Sequence, residues 1–111
     1  MTTAWTVVLS EEVDEWLDSL TPTERRLVHS VIERLKVQGN QLGMPLSRAL
    51  GEGLYELRFT VSNTARRITY TYDPDKRIIT LTTFRKQRTN ERREILRARR
   101  AKQAHDETRE A

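Results

Sequence analysis

Apolar residues recur at changing intervals along the chain, and each interval predicts an element. Trp5-Thr6-Val7-Val8-Leu9 is short, aromatic and β-branched, which predicts a first strand. Ser10 is a good helix cap, with Glu11 and Glu12 in the first turn facing the positive end of the helix dipole. Val13, Trp16, Leu17 and Leu20 then recur at helical spacing. Thr21-Pro22-Thr23-Glu24 starts a second helix, with Pro22 at the first helical position and Glu24 where a capping-box acid belongs. Leu27, Val28, Val31, Ile32 and Leu35 form its stripe, which fades near Gln38-Gly39, so a helix hairpin is expected. His29 lies off that stripe, beside Arg25, Arg26 and Glu33, and reads as an exposed helix residue.

Gly39 to Gly53 holds all four glycines and Pro45, which predicts a loop along the domain edge. Strands follow at Leu54 to Val61, Arg67 to Tyr72 and Ile78 to Phe84. They are joined by the turn formers Ser62-Asn63-Thr64 and Asp73-Pro74-Asp75-Lys76, so neighbours should pair antiparallel. From Asn90 the chain is a run of helix formers whose only large apolar side chains are Ile95 and Leu96. One anchor point holds a long helix weakly, so a single domain over residues 1–102 and a frayed tail over 103–111 are expected.

Side chains alternate across a strand, which splits each strand into two faces. Tyr55, Leu57, Phe59 and Val61 oppose Glu56, Arg58 and Thr60, while Ile68, Tyr70 and Tyr72 oppose Arg67, Thr69 and Thr71. In the last strand Ile79 and Leu81 oppose Ile78, Thr80, Thr82 and, further on, Phe84 and Lys86. One face should therefore lie under the hairpin, and the other should be polar. A solvated face is ordinary in an antiparallel sheet. Arginines on two adjacent strands are not, because like charges repel across a sheet, so a phosphate-binding face stands beside the ordinary reading.

Charge sharpens that choice. Residues 1–53 carry 5 Lys/Arg against 8 Asp/Glu, and residues 54–111 carry 15 against 8, so the chain's +4 is concentrated in the half that holds the strands. Clustered cations neutralise phosphates and release their counterions, which points to a polyanionic partner. The absence of cysteine excludes a disulfide framework, a thiolate zinc site and a cysteine nucleophile. His29 and His105 are far apart in sequence, so a histidine metal site is not expected either. No apolar run reaches membrane-spanning length, and a soluble, cytoplasmic protein without a membrane partner is expected.

Three segments carry a family likeness. Gly53-Leu54-Tyr55-Glu56-Leu57-Arg58-Phe59 resembles the "GLYELR" strand of the RelE/ParE toxin superfamily, from bacterial toxin–antitoxin pairs. Ala65-Arg66-Arg67-Ile68-Thr69-Tyr70 resembles its arginine-bearing second strand, and Phe84-Arg85-Lys86-Gln87-Arg88-Thr89 resembles its basic exit from the last strand. The resemblance covers roughly residues 5–100 and is nearest to the phage-derived, HigB-like branch. It implies an α+β, RelE-like fold: a short strand, a helix hairpin, a three-stranded antiparallel meander and a basic C-terminal helix (β-α-α-β-β-β-α).

The resemblance also implies chemistry. RelE-like members are ribosome-dependent endoribonucleases, in which the 2′-hydroxyl of mRNA attacks the neighbouring phosphate and expels the 5′-oxygen without a metal or other cofactor. Such a reaction needs a proton acceptor, cations for the phosphoryl oxygens, and an acid for the leaving group. Carried over by position, Arg67 is the candidate for transition-state charge, since a guanidinium can hold two phosphate oxygens at once. Arg58 should hold a phosphate. Lys86 could protonate the leaving group, with Arg85 and Arg88 as supporting cations. Glu56 stands where one member has a lysine proposed as base; the two arginines should keep it ionised and able to accept a proton, or it may simply pair with them. The histidine and the tyrosine that other branches use are absent, with Lys86-Gln87 and Arg92 in those neighbourhoods. Arg92, Arg93, Arg97, Arg99 and Arg100 are expected to contact ribosomal RNA.

The implied partners are the ribosome, mRNA and a cognate helix-turn-helix, HigA-like antitoxin, with operator DNA reached only through the antitoxin complex. Two other functions fit the same fold: a ParE-like poison of DNA gyrase, and an inactive antitoxin- or RNA-binding module. Basic residues on the open sheet face favour the nuclease, because a gyrase poison does not need them.

Overall fold

Side-chain caps punctuate the first third of the chain. In the computed structural model, which describes residues 4–110, strand β1 (Thr6–Val8) ends just before Ser10. The Ser10 hydroxyl accepts the Val13 N–H at 3.2 Å and starts helix α1 (Glu11–Asp18). Thr21 starts α2 (Pro22–Gln38) with a complete capping box: its hydroxyl accepts the Glu24 N–H at 3.2 Å, and the Glu24 carboxylate accepts the Thr21 N–H at 2.9 Å. Arg25 donates to the Leu17 and Leu20 carbonyls at 3.1 and 3.0 Å, satisfying the end of α1 and fixing the hairpin corner. His29 is exposed, as its position off the stripe predicts. Gly39 closes α2 at φ +53°, and the Trp5 indole fills the space a side chain there would need.

The sheet has five strands in the order β1-β5-β4-β3-β2. Its centre is the expected meander, with β3 (Leu54–Val61), β4 (Thr64–Asp73) and β5 (Arg77–Arg85) antiparallel to their neighbours. β1 adds to it in parallel, Val7 lying opposite Ile78. The segment expected as loop instead holds a 3-10 turn (Gly39–Gln41) and an edge strand, β2 (Ser47–Gly51), antiparallel to β3. Ser, Arg, Ala and Gly carry little strand signal of their own, and tertiary pairing overrides it. Here the pairing is the β3 ladder together with a buried hydrogen bond between the Ser47 and Tyr70 hydroxyls.

The hairpin covers one sheet face as expected. Val13, Leu17, Val28, Ile32 and Leu35 pack with Leu57, Phe59, Val61, Ile68, Tyr70 and Ile78. The other face is not open. Helix α3 (Glu91–Glu110) lies on part of it, where Ala98 packs with Leu54, Ile79 and Leu81, flanked by Ile95 and Ala101. The expected alternation of β5 holds from Ile78 to Leu81 and breaks before Phe84, for a local reason. Ile68 pairs with Thr83 but Tyr70 pairs with Thr80, so the ladder shifts between them. The Thr69 hydroxyl bridges the irregularity, accepting the Thr82 N–H at 3.0 Å and lying 2.6 Å from the Thr82 hydroxyl. Ile78, paired with Tyr72, joins the hairpin core while Ile79 and Leu81 serve α3, and the shift puts Phe84 on the face of its partner Arg67.

α3 runs through most of the stretch expected as a tail, 103–111. It continues past Lys102 to Glu110, while Ala111 lies outside the described residues. The anchor is not Ile95 with Leu96, since Leu96 is 51 % exposed. Small side chains at Ala98 and Ala101 let the helix approach the sheet closely. Arg97 then clamps it: its guanidinium donates to both Glu12 carboxylate oxygens at 2.6 and 3.0 Å and to Glu94 at 2.9 Å. Among the described residues no helix is long and apolar enough to cross a membrane.

Candidate functional site

The part of the second face that α3 leaves uncovered carries a cluster of charges drawn from five segments. Glu56 and Arg58 come from β3, and Arg67 from β4, where it sits directly opposite Arg58. Arg48 comes from β2, directly opposite Glu56. Lys86 follows β5, and Glu91 opens α3. Glu56 is at the centre: one of its oxygens lies 3.7 Å from Arg48 Nη1 and 3.9 Å from the Nε atoms of both Arg58 and Arg67. Glu91 forms a second node, 3.3 Å from Arg48 Nη1 and 3.7 Å from Lys86 Nζ. Four cations thus surround two carboxylates, leaving the cluster positive.

Buried Asn90 fixes the turn that brings Lys86 here. Its side chain donates to the Arg85 carbonyl at 2.8 Å and accepts the Gln87 N–H at 2.9 Å, while its carbonyl accepts the Glu94 N–H at 3.0 Å in the first turn of α3. Lys86 Nζ donates to the Gln87 carbonyl at 3.0 Å.

The electrostatics are those of a partly dry site. Glu56 is 1 % exposed, and burial raises its carboxyl above the usual range against the pull of Arg67, Arg48 and Arg58. The expectation from its neighbours alone, a fully ionised group, is therefore reversed in direction by desolvation. Arg67, with 10 % of its side chain exposed, is lowered by burial despite the attraction of Glu56. Its Nη1 donates to the Arg66 carbonyl at 3.0 Å, yet among the described residues its Nε–H has no hydrogen-bond partner, and neither does the Nε–H of Arg58. A buried N–H without an acceptor costs about 1–3 kcal/mol, and both donors lie 3.9 Å from the Glu56 carboxylate, closed to solvent in the free protein.

The structure brings together Glu56, Arg58, Arg67 and Lys86, as the sequence reading placed them. Arg85 and Arg88 are exposed nearby in sequence, on either side of Lys86. The helical cations divide. Arg92, Arg93 and Arg100 are exposed. Arg97 is committed to Glu12 and Glu94, and Arg99 donates to the Leu50 and Gly51 carbonyls at 2.8 and 3.2 Å, so both hold α3 in place. Arg48, Glu91 and Asn90 were not singled out from sequence. The signal for Arg48 was Gly51-Glu52-Gly53, a turn between two short runs that could each be a strand. A cavity of about 420 Å³ lies between β1 and α2 and is lined by Thr6, Val7, Leu9, His29 and Ile32, none of them in the charged cluster.

A family model described as phage-derived protein Gp49-like matches residues 15–103. The fold is similar to that of a free mutant of the Escherichia coli toxin RelE, with a TM-score of 0.60 at 12 % identity over 86 % of this chain and 93 % of that one. It is also similar to a chain of the toxin–antitoxin complex RelBE2 from Mycobacterium tuberculosis, with a TM-score of 0.51 at 19 % identity over 75 % of this chain and 99 % of that one. No curated protein sequence matches the chain.

Proposed function

The chain belongs to the phage-derived Gp49-like family, a family of RelE/HigB-type toxins, and from that premise we propose that it is a ribosome-dependent endoribonuclease that cuts mRNA and is neutralised by an antitoxin. The observation that carries this reading is the pair of unpartnered Nε–H donors on Arg58 and Arg67, facing one another across β3 and β4 beside a buried carboxylate.

The chemistry divides among these groups. A 2′-hydroxyl seated against Glu56 gives its proton to the carboxylate as its oxygen bonds to the adjacent phosphorus. A carboxylate raised by burial is a stronger base than one in water. Negative charge then grows on the phosphoryl oxygens, where the Arg67 and Arg58 guanidinium groups supply the balancing cations. The bond to the 5′-oxygen breaks, Lys86 gives that oxygen a proton, and the products are a 2′,3′-cyclic phosphate and a 5′-hydroxyl end. Exposed Arg85, Arg88, Arg92, Arg93 and Arg100 extend the positive surface outwards, suited to ribosomal RNA. The likeness to a chain of a toxin–antitoxin complex supports an antitoxin as the protein partner.

Expression in cells tests the reading. The expected result is rapid loss of protein synthesis, with new mRNA 5′ ends that map within translated codons. DNA breaks and filamentation with intact mRNA would instead indicate a gyrase poison. No effect on growth from soluble protein would leave only a binding module.

A further inference from the structure

Glu91 holds Arg48 and Lys86 together although they come from separate parts of the fold, the edge strand and the segment after β5. The oxygens of one carboxylate divide between the two cations, at 3.3 Å from Arg48 Nη1 and 3.7 Å from Lys86 Nζ. Neither contact is tight, and Glu91 is partly exposed at the start of α3. A phosphate presents the same kind of oxygens with a higher affinity for guanidinium and ammonium groups. Arg48 also reaches Glu56 at 3.7 Å, so this second anion position adjoins the place assigned to the scissile phosphate.

We propose that Arg48 holds a neighbouring RNA phosphate in a subsite beside Lys86, and that Glu91 occupies it in the free protein as a built-in stand-in for that phosphate. The inference rests on the RNA-cleaving reading and adds a residue from β2 to it. When RNA enters, its phosphate replaces the Glu91 carboxylate on Arg48. The same exchange frees Lys86 from Glu91, so the proton donor becomes available only when substrate is in place. Glu91 is then a positioning residue that keeps the site closed to weak anions.

The experiment measures binding of a 2′-O-methyl RNA octanucleotide, which cannot be cut, to the full chain across a range of salt concentrations. Glu91→Gln should bind about three- to fivefold tighter, the scale expected when competing half-exposed ion pairs are removed. Glu107→Gln, at an exposed acid further along the same helix, should bind as the parent does. Arg48→Ala added to Glu91→Gln should erase the gain and reduce the slope of log affinity against log salt by about 0.7. An equal gain in Glu91→Gln and Glu107→Gln would overturn the subsite in favour of general repulsion, and so would a gain that survives Arg48→Ala. If the parent binds no RNA even at low salt, the subsite on the free chain fails, while the RNA-cleaving reading is decided separately by mRNA cleavage on ribosomes. If the parent binds and Glu91→Gln is unchanged, the subsite alone fails.

Discussion

Replacing Arg67 by alanine separates chemistry from folding, because the structure gives its side chain a large role in one and a balanced role in the other. On the folding side, the change removes a hydrogen bond to the Arg66 carbonyl at 3.0 Å, worth about 1 kcal/mol, and an attraction to Glu56 at 3.9 Å that lacks hydrogen-bond geometry. It also relieves a buried, unpartnered Nε–H, which costs about 1–3 kcal/mol, and the repulsion of Arg58 directly opposite. These terms oppose one another and should leave stability within about 1 kcal/mol of the parent, or about 4 °C in Tm for a chain of this size. On the chemical side, losing a preorganised donor at a developing oxyanion lowers the rate by about 10²–10³. The assay is the initial rate of mRNA cleavage on programmed ribosomes, read by primer extension, beside urea unfolding of the same preparations. The loss should fall on kcat, with KM little changed, because the donor acts on charge that grows only in the transition state. Arg67→Lys keeps the charge but not the forked geometry and should recover only part of the rate. A variant that folds normally and cuts within about tenfold of the parent would refute the assignment. A variant that unfolds would show that the balance drawn here is wrong.

Two further outcomes follow from the carboxylates. Burial alone would raise Glu12, but the Arg97 hydrogen bonds, the Thr83 N–H and the charges of Arg97 and Arg66 outweigh it and hold the carboxyl below the usual range. The stability it contributes is present above about pH 4.5 and lost as pH falls through the lower folded value. Glu12→Ala, which also strips the Thr83 N–H of its acceptor at 2.7 Å, should cost about 2 kcal/mol in urea unfolding at pH 7, and the gap to the parent should close in acid. A gap that persists unchanged at pH 3 would contradict the ion pair as its source. Glu56 has the opposite sign: with its folded value raised, its favourable contribution is full below about pH 4.5 and declines as pH rises through that folded value. Glu56→Gln should therefore gain stability relative to the parent as pH rises from 4 to 7, and parallel pH curves for the two proteins would count against a buried, raised carboxyl.

The sequence was most legible where local chemistry and tertiary packing agree. Ser10 and the Thr21–Glu24 box cap helices by hydrogen bonds within four residues, so their pattern survives any fold. The alternation of β3 and β4 held because both strands pair regularly along the stretch that carries Glu56, Arg58 and Arg67. Three features were illegible for three different reasons. β2 exists through pairing with β3, and its residues do not announce it. The shift between β4 and β5 turns on the single hydroxyl of Thr69, one threonine among several in the meander. The docking of α3 rests on alanines, whose small size is invisible to a search for large apolar anchors. The errors compound in the site: without β2 there is no Arg48, and without a docked α3 there is no Glu91.

Arg66 and Arg67 are adjacent in sequence and point to opposite faces of the sheet. Arg66 lies over the Trp16 ring at 4.3 Å on the hairpin side, while Arg67 enters the charged cluster. A one-residue slip of β4 would exchange them, so the cluster would still receive an arginine. The charges therefore cannot tell the right pairing from the wrong one. What can is the row that follows, Ile68, Tyr70 and Tyr72, which the same slip would turn out of the core. The accuracy of the proposed catalytic position is thus enforced from behind the sheet, by residues that never meet RNA. Loss of activity should accordingly arise as readily from substitutions beneath the hairpin as from substitutions at the phosphate.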